Sequence, residues 1–167
     1  MSAYAASVPG TTLSRPVDGG ITSGFGYRRH PILGHRRFHR GVDIRASLGT
    51  PIKAAADGHV TFAGWRGGYG KQVRIRHGRG LASSYSHMSG IAAAVGAFVR
   101  KGDIIGRVGW TGMTTGPHLH YEVHRNGQPV DPASALASAE APGERGAEFE
   151  RTFRRLRSTP VARGPAA

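Results

Sequence analysis

Apolar positions in this chain come in short runs, and most of the runs alternate with polar ones. In KQVRIRHG, Val73 and Ile75 fall on one side and Arg74 and Arg76 on the other, the period-two pattern of a half-buried strand. LASSYSHMS follows a Gly-containing break and reads as its hairpin partner. Upstream, TPIKAAADGHVTFAGW places a turn at Asp57-Gly58 and a strand over residues 59–63. Downstream, GAFVRKGDIIGRVGWTG gives a strand, a Gly-Asp turn, and a second strand carrying Ile104, Ile105 and Val108. HLHYEVHRNGQPVDP reads as a strand ending at Asn126-Gly127, a strong hairpin signal. At least six short strands recur at intervals of about 8–12 residues, which predicts an all-β, mainly antiparallel sandwich or barrel.

The flanks read differently. Residues 1–19 are small and polar, with prolines at Pro9 and Pro16, and are expected to form a flexible arm or linker. ITSGFGYRRHPILGHRRFHRGVDI mixes glycine turns, aromatics, arginines and histidines, and reads as short strands and functional loop. Residues 54–56 and 91–95 could each make a short helical turn, but neither has a persuasive helical face. The domain is expected to span residues 20–136, followed by a tail over 137–167. In that tail Phe149, Phe153 and Leu156 have helical spacing, and Glu148 and Glu150 precede Arg151, Arg154, Arg155 and Arg157. That order suits a helix dipole and predicts one short C-terminal helix at about 146–157, packing a small apolar stripe.

Composition narrows the chemistry. The chain has 167 residues, a length that suits one domain with its own core. Cysteine is absent, so a transition-metal site must use histidine and carboxylate. The 26 glycines follow no three-residue period, which excludes collagen and suits many tight turns. Net charge is +13, which favours an anionic partner such as nucleic acid, an anionic membrane surface or an acidic wall polymer. No recognised nucleic-acid motif accompanies the charge, and nucleic acid is not the expected partner. No run is apolar and long enough for a membrane-spanning helix, and MSAYAASVPG lacks the basic and apolar regions of a signal peptide.

Three short stretches carry candidate chemistry. TTGPHLHYEVH holds His118, His120 and His124. Alternate strand residues share a face about 6.5 Å apart, so a straight strand directs only one of His118 and His120 to a given ion. His124 shares that face but sits near the turn, and is expected at the surface. RFHRGVDI holds His39 and Asp43, where Asp43 either pairs with a neighbouring arginine or ligates a metal. YSHMS places His87 on a strand. His39, Asp43 and one of His118 and His120 would give two imidazoles and a carboxylate, the ligand set of a catalytic zinc with its fourth position left to water. Gly41 would supply the bend that brings His39 and Asp43 together. Tyr69, Trp110 and Gly116 lie in glycine-rich loops suited to a substrate groove.

The combination H-x-G-x-D, Y-x-H and T-G-x-H-x-H, in that order with SGFGYRRHP, GTPIKAAADGHV and VDP around it, resembles the M23 family of zinc metallopeptidases, the lysostaphin-like or LytM-like peptidoglycan endopeptidases. The resemblance runs from about Thr22 to Pro132. It implies a lysostaphin-type β-fold, one zinc ion per chain, and hydrolysis of peptide bonds in peptidoglycan. It implies that His39, Asp43 and His120 hold the metal, and that His118 and His87 are the catalytic histidines, with His118 as general base. GFGYRRHPILG looks like the Gram-negative type, which implies D-alanyl–diaminopimelate cross-links as substrate and a place in the periplasm or cell envelope. A monomer is expected. The family also includes non-catalytic members that bind wall or activate amidases, the alternative reading of this chain.

Overall fold

The computed structural model describes residues 11–30 and 32–140. Twelve strands form in chain order: β1 Ile21–Ser23, β2 Gly26–Arg29, β3 Arg36–His39, β4 Val42–Ile44, β5 Pro51–Lys53, β6 Gly58–Trp65, β7 Lys71–Gly78, β8 Leu81–Ile91, β9 Phe98–Val99, β10 Ile104–Val108, β11 Leu119–Arg125 and β12 Gln128–Val130. One helix, α1, spans Pro132–Glu140. The fold is the expected mainly antiparallel β architecture.

One ten-stranded sheet runs in the order β1-β4-β11-β8-β7-β6-β9, with β12 on β11, β10 on β8, and β5 on β10. A separate ribbon pairs β2 with β3. The alternation of KQVRIRHG places Val73 and Ile75 in the core, both fully buried. They meet Val42, Ile44, Ile52, Tyr85, Met88, Ile105, Leu119, Tyr121 and Val123, all shielded from solvent. The turns follow local chemistry. Asn126 and Gly127 have φ of 48° and 78°, the paired left-handed conformation of a type I′ hairpin, which Asn-Gly adopts at least strain. The β7–β8 turn does the same with Arg79 and Gly80, at 48° and 75°.

Two features depart from the sequence reading. Residues 11–19 are not a free arm: Leu13 and Val17 are buried in the core. Their backbone is tied down by Ser14 N–H to the Ala55 carbonyl at 2.8 Å and Lys53 N–H to the Pro16 carbonyl at 2.9 Å. Two apolar side chains spaced four apart supply the burial that a polar-looking segment needs to order. Second, α1 crosses the boundary expected at residue 136. Asp131 Oδ1 accepts from Ala133 N–H at 2.9 Å, an N-cap followed by proline at the first helical position. Ala135 and Leu136 pack into the core. Residues 54–56 and 91–95, which lack a persuasive helical face, form no helix. The helix expected at about 146–157 lies outside the described residues. Among the described residues no helix is long and apolar enough to cross a membrane.

Candidate metal centre

Alternation in two neighbouring strands builds the site. In β4, Val42 and Ile44 enter the core, so Asp43 between them must face the other way. In β11, Leu119, Tyr121 and Val123 enter the core, which turns His120, Glu122 and His124 to that same opposite face. The β4–β11 register sets His120 directly across from Asp43, and directly opposed residues have touching side chains. On its other edge His120 faces Ser86 of β8, the residue before His87.

His39 arrives from the end of β3. The corner to β4 passes over β11 at Gly41, where a Cβ would collide with the Tyr121 carbonyl oxygen and lie 2.9 Å from Glu122 Cγ. Gly41 is therefore there for close backbone approach, and the corner it permits returns Asp43 beneath His39. His39 Nε2 lies 3.2 Å from Asp43 Oδ1 and 3.0 Å from His120 Nδ1. His120 Nδ1 lies 2.9 Å from Asp43 Oδ1.

The outer atoms of these side chains fix which inner atoms carry lone pairs. His39 Nδ1 meets the Gly24 carbonyl at 2.7 Å. A carbonyl only accepts, so Nδ1 carries the hydrogen and Nε2 is bare. His120 Nε2 donates to Glu122 Oε1 at 3.0 Å, leaving its Nδ1 turned inward. Asp43 Oδ2 accepts from Arg28 at 3.3 Å, which leaves Oδ1 for the centre. Three electron-pair donors thus converge at 2.9–3.2 Å. Such a triangle is repulsive unless a cation lies against it or a proton on His120 Nδ1 bridges to Asp43. Ligands about 2.0–2.1 Å from a tetrahedral zinc stand about 3.3 Å apart, so the donor set and its spacing fit that ion. His39, Asp43 and His120 form the one group of this kind among the described residues.

Glu122 anchors the arrangement. Its Oε2 accepts from His124 Nε2 at 2.7 Å, and its Oε1 also accepts from the Tyr69 hydroxyl at 3.0 Å. Burial raises the Glu122 carboxyl, but bonds from His120 and His124 outweigh it and hold the group ionised, well below the usual range. The Tyr69 phenol is pushed up to about 12 by burial and by Glu122, so it stays a donor. His124, expected at the surface, is buried. β11 is a central strand, flanked by β8 on one edge and by β4 and β12 on the other, and it is covered on both faces through His124. Glu122, with no role assigned from the sequence, was within reach of the alternation rule, since it stands two residues from His120.

His118 and His87 stand beside the donor triangle, with ring centroids 4.9 Å apart. His118 Nδ1 is held by the Gly116 carbonyl at 2.9 Å and by Thr114 Oγ1 at 3.1 Å. Its Nε2 lies 3.4 Å from Asp43 Oδ1. His87 Nδ1 donates to the Thr111 carbonyl at 2.7 Å. Burial, first of all, lowers His87 to about 4. Its φ is 61°, a left-handed conformation uncommon outside glycine and concentrated at functional positions.

These side chains line a cavity of about 620 Å3. Tyr69 lines it, as expected of a groove residue, though its hydroxyl is engaged by Glu122. Trp110 and Gly116 are not among the lining residues. Trp110 lies exposed with Nε1 donating to the Thr114 carbonyl, and Gly116 acts through the carbonyl that holds His118. Met113, Thr114 and Thr115 of the same loop form that part of the wall instead.

Residues 37–132 match the model of peptidase family M23. The chain belongs to that family. Its M23 region is 55% identical over 114 residues to "DD-carboxypeptidase/endopeptidase Mpg" of Neisseria meningitidis, covering 68% of this chain and 26% of that protein. The chain thus spans about a quarter of the length of that curated relative. Among solved structures, a zinc-containing peptidase from Vibrio cholerae superposes with a TM-score of 0.68 at 35% identity, covering 75% of this chain and 39% of that one. The catalytic domain of lysostaphin from Staphylococcus simulans superposes with a TM-score of 0.65 at 34% identity, covering 71% and 92%. The M23 match encloses the donor triangle, Glu122 and both flanking histidines, whereas β1 and β2, which bring Gly24 and Arg28 to the site, precede it.

Proposed function

We propose that this chain carries a zinc-dependent endopeptidase that hydrolyses peptide bonds in peptidoglycan stems or cross-links, with D-alanyl–diaminopimelate bonds as target. The observation that carries this reading is the convergence of His39 Nε2, Asp43 Oδ1 and His120 Nδ1 beside two further imidazoles in one cavity. Those three atoms would hold one zinc ion per chain. Bound zinc supplies a Lewis acid that polarises a carbonyl and makes water acidic near neutral pH.

The remaining work falls to the chain's own groups. His118, its Nδ1–H anchored on Gly116, presents a bare Nε2 toward the centre and takes the proton of the attacking water. His87, its Nδ1–H anchored on Thr111, is neutral at working pH. A proton that reaches it during the reaction is weakly held, and passes readily to the leaving amine. Glu122, braced by His124 and Tyr69, fixes the ring plane of His120 and raises its basicity as a ligand. The chain's net charge of +13 draws it to an anionic wall, and the envelope or periplasm is the compartment where this substrate lies.

Digestion of purified sacculi tests the reading. Zinc-loaded protein should release new amine termini, and chelated protein should release none. Wall binding without new termini in either form would instead favour a non-catalytic binding or amidase-activating module.

A further inference from the structure

The β2–β3 ribbon carries an unusual pair. Its register places Arg28 directly opposite Arg37, and like charges directly opposed weaken a ribbon. Strand alternation puts this pair on the same face as His39, and all three line the cavity with Arg40. On the other face the arginines are answered: Arg36 lies over the Tyr27 ring at 5.1 Å, and Arg29 donates to the Gly34 carbonyl at 2.9 Å. On the cavity face Arg28 is answered by Asp43.

Arg37 and Arg40 are exposed, and among the described residues neither guanidinium has a hydrogen bond or ion pair. The carboxylates of the cavity cannot serve them. Asp43 is taken up by Arg28, His39 and His120, and Glu122 by His120, His124 and Tyr69. The wall therefore holds surplus positive charge. His30, also in the lining, responds to it: burial and then Arg28 and Arg37 pull its imidazole below the ordinary value.

We infer that this cavity selects peptides with a free carboxylate within about two residues of the scissile bond, gripped by Arg37 with Arg40 beside it. Arg37 is two residues from His39 on one strand face, about 7 Å along the strand, which sets that reach. The inference rests on the peptidase reading. The carboxylate is either a chain-terminal one or the side-chain one of a diamino acid, and both present the planar oxygen pair that a guanidinium fork matches.

Three cross-linked peptides test it: one with all carboxylates free, one amidated at the terminal carboxylate, and one amidated at the side-chain carboxylate. With zinc-loaded protein, one of the amides should lower kcat/KM about tenfold, mostly through KM, the scale of one charge-assisted hydrogen-bonded pair. Which amide does so identifies the source. Arg37→Gln should collapse that ratio to about twofold or less, with Arg37→Lys between the two, because an ammonium keeps charge but loses the fork. An unchanged ratio in both Arg37→Gln and Arg40→Gln would overturn the inference, as would wild-type protein indifferent to both amides. Calorimetric binding to His118→Ala separates this inference from the peptidase reading. Tighter binding of the free acid without cleavage by wild type sinks the peptidase and keeps the carboxylate site. No discrimination in binding, with cleavage intact, sinks the site and keeps the peptidase.

Discussion

His118 and His120 stand two residues apart and do different things. His120 Nδ1 belongs to the donor triangle, whereas His118 stands beside it with Nδ1 tied to a loop carbonyl. His120→Ala should therefore lose zinc, and His118→Ala should retain it near one ion per chain while losing turnover by at least about a hundredfold. Zinc by elemental analysis and cleavage on one substrate read the two outcomes, and the reverse pattern would exchange the assignments. Glu122→Gln should weaken zinc binding by about 10–100-fold, measured by chelator competition, because an amide orients the ring with a weaker bond. The candidate residues were legible through the combination of H-x-H, H-x-G-x-D and Y-x-H and the family resemblance it carries, since none of these motifs decides the site alone. Arg28 and Gly24 were not legible as parts of the site, and Tyr69 was legible as a groove residue but not as the partner of Glu122, because each contact is made across a large sequence separation. The φ of 61° at His87 is invisible in a string of letters.

At the level of elements, the centre depends on a corner and a register. Gly41 lets the β3–β4 corner lie against β11, and a methyl there meets the Tyr121 carbonyl. Gly41→Ala should cost about 1–3 kcal/mol, the range of overpacking in a filled interior. Thermal melting measures that loss. Zinc affinity should fall with it, since the same shift moves His39 away from Asp43. A Gly41→Ala protein that melts and binds zinc like wild type would contradict the packing argument. The β7–β8 and β11–β12 hairpins were readable because alternation and glycine turns act locally. The anchoring of residues 11–19 was not, because Leu13 and Val17 show their value only against a core assembled from distant strands. α1 carries a readable signal in VDPASA, an acidic cap before proline.

For the molecule as a whole, the proposed centre would couple metal binding, protonation and stability. In chelated protein, burial pulls His120 down, but hydrogen bonds to Asp43 and Glu122 outweigh it and raise it from 6.5 to about 9. A pKa raised on folding stabilises fully below the unfolded value and loses that effect as pH climbs through the folded one. Chelated protein should therefore lose thermal stability between about pH 6.5 and 9. Asp43 and Glu122 are depressed from 3.8 and 4.5, so their contribution is present above those values and fades as pH falls. Zinc-loaded protein should lack the alkaline decline, because coordination at Nδ1 replaces the proton. A chelated protein with a flat melting temperature from pH 6 to 9 would remove the proposed coupling. The central claim is that three donor atoms hold zinc and that the neighbouring imidazoles use it to cut peptidoglycan. The most direct measurement is mass spectrometry of fragments from purified sacculi treated with zinc-loaded, chelated and His118→Ala protein, each with its zinc content determined. The account predicts one new peptide terminus, at a D-alanyl–diaminopimelate bond, from zinc-loaded wild type alone. Cleavage that persists after chelation, or in zinc-loaded His118→Ala, would contradict it.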